Sequence, residues 1–440
     1  MSKKRYDKFT IRNQQKHSLT MKRKKKRTSL KSSQKIINEE TYLPDECWES
    51  IFEFLIIKEG RCCLNSLSLV SKQFLSITNS LLFSLAIIEN PTRPLLGRLF
   101  RRFTNLISLD LSRFNCDINN LLRKISRYPL KKLTSLCISS NQFPFPTNGL
   151  RTFSESITTL TSLTCTHMFL YNNDLLLNIA DCFPLLKELN LAYPLDHNQI
   201  HYPAFLLSKF RCIQHLSLER TFFLNDQQVE EMSLLHSDLM SINLNDCWKL
   251  TELSLFSLVS NCPSLSEIKM ENASIGKESV ENIIGVYPQL KSLYLGRNLR
   301  LSDEKITMFA SFFPNLQLLD LNRCYYMSDG ICQVLRCCKI THLNLTRCSI
   351  VNLLGINFLV PKLEVLDLSY TKVDDEQLCV ISKNCCGLLQ LFLKNCSNIT
   401  EKGVKHVVEN CTQLKEIYLG DIYLNDKTRK LCLRHGCLLC

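Results

Sequence analysis

Along most of this 440-residue chain apolar side chains return in one fixed phase, clearest between Leu316 and Cys348. There Leu316, Leu319, Leu321 and Cys324 are followed by Ile340, Leu343, Leu345 and Cys348, so one spacing is written twice in succession. Apolar residues two apart, with polar residues between them, mark a strand with one buried face. Between the copies, Met327-Ser328-Asp329-Gly330 reads as a helix start, and Ile331, Val334 and Leu335 follow at helical spacing. The pattern predicts a unit of strand, turn, helix and return. With the first apolar position as anchor, the phase recurs at Leu106, Leu133, Leu160, Leu186, Ile213, Leu239, Leu265, Leu290, Leu316, Ile340, Leu363, Leu388 and Leu414, thirteen anchors spaced 23 to 27 residues apart. An ordinary α/β domain with unrelated strands and helices has no reason to space them so evenly.

The unit resembles the leucine-rich repeat, L-x-x-L-x-L-x-x-N/C, whose strand lines a horseshoe and whose helix covers the outside. The fold class this implies is α/β, a leucine-rich-repeat solenoid of about 13 repeats over residues 106–440 with a C-terminal cap. Such an array grows by stacking, so its length does not require several separate cores. Repeats from Leu106 to about Ile213 depart from the pattern at the ninth position, with Phe114, Met168 and Pro194, and their return loops carry Pro144, Pro146 and Pro203. Irregular loops are where a solenoid can present function, and sequence drift explains them equally well. Residues 86–105 read as a linker and N-terminal cap, in which Pro91 and Pro94 restrict the backbone and Leu95, Leu96, Leu99, Phe100 and Phe103 form a first outer helix.

Residues 37–85 read differently. Pro44, Asp45 and Glu46 suit a helix start, and Cys47, Ile51, Phe54 and Leu55 follow at helical spacing. A second amphipathic helix is expected to carry Leu67, Val70, Phe74 and Ile77, with Gly60 marking the loop before it. Three short helices cannot bury all these apolar side chains among themselves, so some face another surface, either a partner protein or the first repeats. Leu43, Pro44, Ile51, Phe52, Leu55, Val70, Ser71, Lys72 and Phe74 together resemble an F-box, with Phe74 where Trp is commoner. Joined to cysteine-containing leucine-rich repeats, the module is similar to the F-box/leucine-rich-repeat family. That resemblance implies a non-catalytic substrate receptor of an SCF-type cullin-RING ubiquitin ligase. Leu43, Pro44, Ile51, Phe52, Leu55, Val70, Ser71 and Phe74 would bind a Skp-type adaptor, and through it a cullin and a RING protein; the repeats would take a protein substrate destined for proteasomal degradation.

Charge changes the picture only at one end. The formal +13 resides in the first 35 residues, which hold fourteen Lys/Arg and one acid, Asp7; the remaining 405 hold 40 of each sign. The folded part is therefore balanced, and no nucleic-acid binding is expected of it. The run Lys22 to Arg27 lies in a polar stretch, 1–36, expected to be a disordered tail, and reads as a solvated tail, a nuclear-import patch, or a contact for nucleic acid or anionic membrane. Neither a secretory h-region nor a membrane span is legible, so an intracellular site, nucleus or cytoplasm, is expected. The 23 cysteines invite a disulfide or metal reading, but an intracellular site argues against disulfides. Cys247, Cys324, Cys348 and Cys396 fall at the ninth repeat position, shared by Asn141, Thr221, Asn298 and Thr371, while Cys262, Cys337, Cys385 and Cys411 stand three residues before an anchor. Both sets are expected to act as small buried hydrophobes. No pair-of-pairs spacing suggests a metal, and no cofactor is implied. Cys437-Leu438-Leu439-Cys440 has the outline of a prenylation box but reads as a capping strand.

Catalytic constellations are absent from the pattern, since His215 and His342 lack a nucleophile and an orienting acid in phase. Binding residues are instead expected on the strand face that points away from the core, where Tyr294, Phe392 and Tyr418 alternate with buried leucines, and at the eighth position, where Arg297, Arg323, Arg347 and then Tyr370 form a column. Three adjacent arginines suggest a site for an acidic or phosphorylated segment; the competing reading pairs them with Asp320, Asp329 or Asp367. Two other functional readings stay open. One is a co-receptor for a small ligand, as in plant hormone F-box proteins, although the even spacing leaves no long inserted loops; the other is a scaffold with no ligase.

Overall fold

A computed structural model describes residues 43–59, 63–139, 145–168, 174–194, 209–277 and 285–439. The basic segment 1–36 with its Lys22 to Arg27 run lies outside them, as do Gly60, Asn141, Pro144, Pro203 and Cys440. The chain divides into two compact units, the first reaching Ser139 and including Asn148–Leu160, the second running from Thr161 onward with Ser140–Thr147.

The first unit opens with α1 (Asp45–Glu59), α2 (Cys63–Leu67) and α3 (Lys72–Ser80). The single second helix expected from the periodicity is broken in two, because the Ser71 side chain accepts the Phe74 N–H and caps a new helix, leaving 68–71 as a turn. A strand, β1 (Ser84–Ala86), follows at once and pairs in parallel with β2 (Ser108–Leu111), Leu85 opposite Leu109. The repeat ladder thus begins inside the segment assigned to the helical module; Leu82, Leu85 and Ile87 are buried in the phase of Leu106, Leu109 and Leu111, one repeat earlier than the first anchor expected. Between them α4 (Arg93–Arg102) starts with Pro94 in its first turn and buries Leu96 and Phe100. Beyond β2 come α5 (Ile118–Ile125), β3 (Ser135–Ser139) and α6 (Thr147–Ser156). The helical module is fastened to these repeats by Arg102 Nε donating to Asn79 Oδ1 (2.7 Å), Asn105 Nδ2 to the Ser80 carbonyl (3.0 Å) and the Ile107 N–H to the Phe83 carbonyl (2.8 Å).

The second unit is a run of parallel strands that pair in chain order: β4 (Ser162–Thr166), β5 (Glu188–Asn190), β6 (His215–Ser217), β7 (Ser241–Asn243), β8 (Glu267–Lys269), β9 (Ser292–Tyr294), β10 (Leu318–Asp320), β11 (His342–Asn344), β12 (Val365–Asp367), β13 (Gln390–Phe392), β14 (Glu416–Tyr418) and β15 (Leu438–Leu439). Equivalent leucines lie opposite one another, as in Leu319 with Leu293 and Leu343. Return helices include α7 (Asp174–Cys182), α8 (Asp226–Leu235), α9 (Glu252–Asn261), α10 (Asp303–Phe312), α11 (Gly330–Cys337), α12 (Asp375–Asn384), α13 (Glu401–Asn410) and α14 (Asp426–Arg434). All thirteen anchors are buried, each leucine contributing about 1.5–3 kcal/mol relative to exposure.

Polar side chains bind one repeat to the next. Asp226, Asp303 and Asp375, each in the first turn of its helix, accept the backbone N–H of Thr251 (2.9 Å), Ser328 (2.8 Å) and Thr400 (2.8 Å) from the following repeat. At the ninth position the Cys247, Cys324, Cys348 and Cys396 thiols donate to the carbonyls of Leu218 (3.3 Å), Leu295 (3.3 Å), Leu321 (3.1 Å) and Leu368 (3.1 Å) in the preceding repeat. Asn298 does the same to the Met270 carbonyl (2.8 Å). Burial pushes the Cys247 and Cys348 thiols up to about 12.

One cysteine departs from the expected burial. Cys337 is exposed, and its neighbour Cys338 makes the inward contact instead, Sγ donating to the Ala310 carbonyl at 3.6 Å. The reason is local. Helices α9, α12 and α13 stop just before Cys262, Cys385 and Cys411, which become their C-caps, whereas α11 runs on through Cys337 and makes Cys338 its C-cap. Cys437, at the start of the prenylation-like tetrad, is buried.

Candidate protein-binding surfaces

Helix α1 is apolar on two sides. Trp48, Phe52, Leu55 and Ile56 follow one stripe and pack with Phe74, Ile77 and Leu81 of the α3 region. The rings of Trp48, Phe52 and Phe74 form a cluster with centroids 4.7 to 6.1 Å apart. The other stripe, Cys47, Ile51 and Phe54, recurs at the same helical spacing and is exposed, Phe54 at 63%. Leu43 and Pro44, before the helix, are exposed as well, and the turn between α2 and α3 exposes Leu69 at 86% and Val70 at 65%. Gln73 Nε2 donates to Asp45 Oδ1 at 2.7 Å, which holds the start of α3 against the start of α1 and so brings this turn beside the exposed stripe.

The eight residues expected to meet an adaptor therefore separate. Leu43, Pro44, Ile51, Val70 and Ser71 are exposed. Phe52, at 1% exposure, is a correction: it is the centre of the module's core and cannot touch a partner. Leu55 and Phe74 are half-buried against that core, and Ser71 has a structural duty as the α3 cap. Phe54 and Leu69 join the surface without having been expected there. The signal for Phe54 is its i+3 step from Ile51, whereas Leu69 becomes visible only once the second helix is known to break.

On the second unit, the feature that organises the surface is conformational. The eighth residue of ten successive repeats, His167, Tyr193, Arg220, Asp246, Asn272, Arg297, Arg323, Arg347, Tyr370 and Asn395, has φ between 53° and 62°. Arg220, Asp246, Arg297, Arg323, Arg347, Tyr370 and Asn395 are each the third residue of a hydrogen-bonded β-turn leaving the strand, as where the Cys324 N–H donates to the Leu321 carbonyl at 3.0 Å. The left-handed residue itself donates to the next repeat: Arg297 N–H to the Asn322 carbonyl (2.7 Å), Arg323 to Thr346 (2.8 Å), Arg347 to Ser369 (2.9 Å) and Tyr370 to Lys394 (2.8 Å). These bonds extend the sheet ladder by one rung and hold a backbone that costs roughly 1–2 kcal/mol in a non-glycine residue.

The arginine column is thus real in geometry, but its members have different partners from those expected. Arg297 pairs with Asp246 (3.4 Å) and Glu271 (3.6 Å) rather than with Asp320, Asp329 or Asp367. The Arg347 guanidinium lies 4.6 Å from the centre of the Tyr370 ring. Arg323 makes no ion pair among the described residues. Phe392 and Tyr418 stack in parallel, centroids 4.3 Å apart, and the Tyr418 hydroxyl donates to Glu416 Oε2 (3.0 Å). Tyr294 is a correction, since it is only 8% exposed on a face expected to be open; Lys269 covers its ring at 5.3 Å. Carboxylates on the same face are desolvated: burial raises the Asp320 carboxyl, with Asn322 and Asn344 hydrogen bonds opposing the shift, and burial followed by Asp320 raises Glu271.

Comparison with known proteins agrees with this division. Residues 41–85 match the F-box domain. An F-box/LRR-repeat protein 4 from Bos taurus is 24% identical over 239 residues, which cover 52% of this chain and 35% of that protein. An F-box/LRR-repeat protein 12 from Arabidopsis thaliana is 24% identical over 113 residues, covering 26% of this chain and 29% of its own length. The aligned stretches thus span about a third of those relatives. Among solved structures, the crystal structure of the Rad7 and Elc1 complex in yeast is similar with a TM-score of 0.45 at 16% identity, over 82% of this chain and 96% of that one. The helices that precede β1 match an F-box domain and the parallel strands after them form a leucine-rich-repeat solenoid, the combination found in the F-box/LRR-repeat proteins that this chain resembles.

Proposed function

We propose that the chain is the substrate-recognition subunit of an SCF-type cullin-RING ubiquitin ligase, with the F-box domain docking a Skp-type adaptor and the repeats holding the protein to be modified. The observation that carries this reading is the outward apolar stripe of the F-box domain, in which Ile51, Phe54, Leu69 and Val70 are exposed together. Large apolar side chains grouped on a small module are costly to leave in water, at about 1.5–3 kcal/mol each, and a partner helix or groove would cover them. The cullin and RING protein would be reached only through the adaptor. In this reading the chain contributes position, not bond chemistry, and the basic run Lys22 to Arg27 serves nuclear import.

Co-purification of the full chain with a Skp-type adaptor tests the proposal. Wild type is expected to retain the adaptor, and Ile51→Glu with Val70→Glu to lose it while keeping the wild-type circular dichroism and melting temperature. A folded wild-type chain that retains no adaptor would remove the ligase assignment and leave the exposed stripe to another partner.

A further inference from the structure

Beyond the left-handed eighth residue, five of the six repeats anchored from Ile213 to Ile340 turn again through their tenth and eleventh residues before the return segment begins. In the six repeats anchored from Ile213 to Ile340, these three positions carry six cations, Arg220, Lys249, Arg297, Arg300, Arg323 and Arg347, and one acid, Asp246. The chain after residue 35 holds 40 of each sign, so this rim is strongly one-sided within a balanced body. Only Arg297 of the six has a carboxylate within ion-pair distance among the described residues. Three others lie over aromatic rings: Arg220 over Tyr193 and Phe222, Lys249 over Trp248, and Arg347 over Tyr370. A guanidinium laid flat on a ring keeps its N–H edge free for a carboxylate.

The same rim exposes Trp248, Leu299, Tyr325, Tyr326 and Ile350. At the roughly 4.8 Å spacing of neighbouring strands, the distance from Arg220 to Arg347 is on the order of 24 Å, the reach of about seven extended residues. We propose that the rim from Arg220 to Arg347 is a docking strip for an extended acidic segment of a partner protein, one that alternates carboxylates with apolar side chains. That the partner is a protein to be recognised rests on the adaptor reading above; the charge and apolar content of the strip do not. The chain's own first 35 residues, fourteen Lys/Arg against one acid, carry the same sign as the strip and are repelled by it. Leu299 and Ile350 offer aliphatic contacts that base stacking does not use, which favours a peptide over a single-stranded nucleic acid.

The test measures fluorescence anisotropy of the full chain with a synthetic peptide of a dozen residues in which Glu alternates with Tyr and Leu. Matched probes carry Lys for each Glu, or Ser for each Tyr and Leu, and a final probe is oligothymidylate. At roughly 0.3 M salt, where charges are screened beyond a Debye length of under 8 Å, the acidic apolar peptide is expected to bind at least tenfold more tightly than every other probe. Arg323→Glu with Arg347→Glu is expected to weaken it tenfold or more, and Tyr326→Ser severalfold, with melting temperatures unchanged. Equal binding of the Ser-substituted peptide, tighter binding of oligothymidylate, or an unaffected double variant would each overturn the strip. Adaptor co-purification by the same variants reports the ligase reading separately, because the F-box residues are untouched.

Discussion

Lys305 Nζ, on α10, lies 3.1 Å from Oε1 of Glu252, a carboxylate at the start of α9 with no solvent exposure. The pair skips a repeat, and Glu252 Oε2 accepts the Gly276 N–H of the repeat between at 3.2 Å. Gly276 has φ +97° and no room for a Cβ, which would stand 2.4 Å from the Arg300 carbonyl oxygen. One buried carboxylate therefore joins three successive repeats. Removing its cation leaves a buried charge unpaired, so Lys305→Met is expected to cost about 3–5 kcal/mol. Lys305→Met with Glu252→Gln should be closer to wild type than Lys305→Met alone, and urea unfolding of the two variants beside wild type measures both effects.

Phe52 and Ile51 are neighbours on α1 with opposite surroundings, and their substitutions separate folding from binding. Phe52→Ala empties the core of the F-box domain and is expected to destabilise it by about 3–5 kcal/mol. Ile51→Glu faces water and should leave stability within roughly 0.5 kcal/mol of wild type. Thermal melts of the two variants beside adaptor retention would show whether the exposed stripe has a binding role of its own.

Arg323 offers a test of the turn ladder. At φ 60° its backbone favours glycine, so Arg323→Gly is expected to change stability by less than about 1 kcal/mol, even though a side chain is lost. Arg323→Val places a β-branched residue in the same conformation and should cost roughly 1–2 kcal/mol. Equal midpoints for the two variants in chemical denaturation would contradict a strained, left-handed turn.

The cysteines should divide by reactivity. Cys47, Cys212, Cys337 and Cys386 are exposed, while burial pushes Cys247, Cys348, Cys385 and Cys411 to about 12. Iodoacetamide at pH 8 is expected to modify the first group within minutes and to spare the second until the chain is unfolded, since the thiolate is the reacting species. Mass spectrometry of digests before and after denaturation reads this directly.

Asp320 gives a pH dependence with a definite sign. Burial holds its folded carboxyl above the usual range, so the folded state is penalised once the pH passes the unfolded value of about 3.9, and the penalty grows until the folded value is passed. Asp320→Asn removes that titration. Between pH 4 and pH 7 the variant should therefore lose less stability, or gain more, than wild type, as measured by melting temperature across that interval.

The spacing of Leu316, Leu319, Leu321 and Cys324 and its recurrences determined the strands, their order, their buried faces and the inward place of the ninth-position thiols, because those depend on periodicity and on contacts between equivalent residues. It also located the F-box segment. Helix α1, however, is apolar on both sides, and periodicity does not say which stripe packs inward. Only the packing of Phe74 against Trp48 and Phe52 decided that Phe52 is core and Ile51 is surface. The break at Ser71 was hidden because a capping hydroxyl overrode local apolar spacing, whereas the strand at Ser84–Ala86 keeps the repeat spacing in Leu82, Leu85 and Ile87 and follows directly on the helical pattern, so that only its pairing with β2 marks it as the first rung. Likewise the arginine column was legible as a column, but its partners were not, since Asp246 and Glu271 reach Arg297 across repeats through a turn geometry that the pattern of apolar residues does not encode.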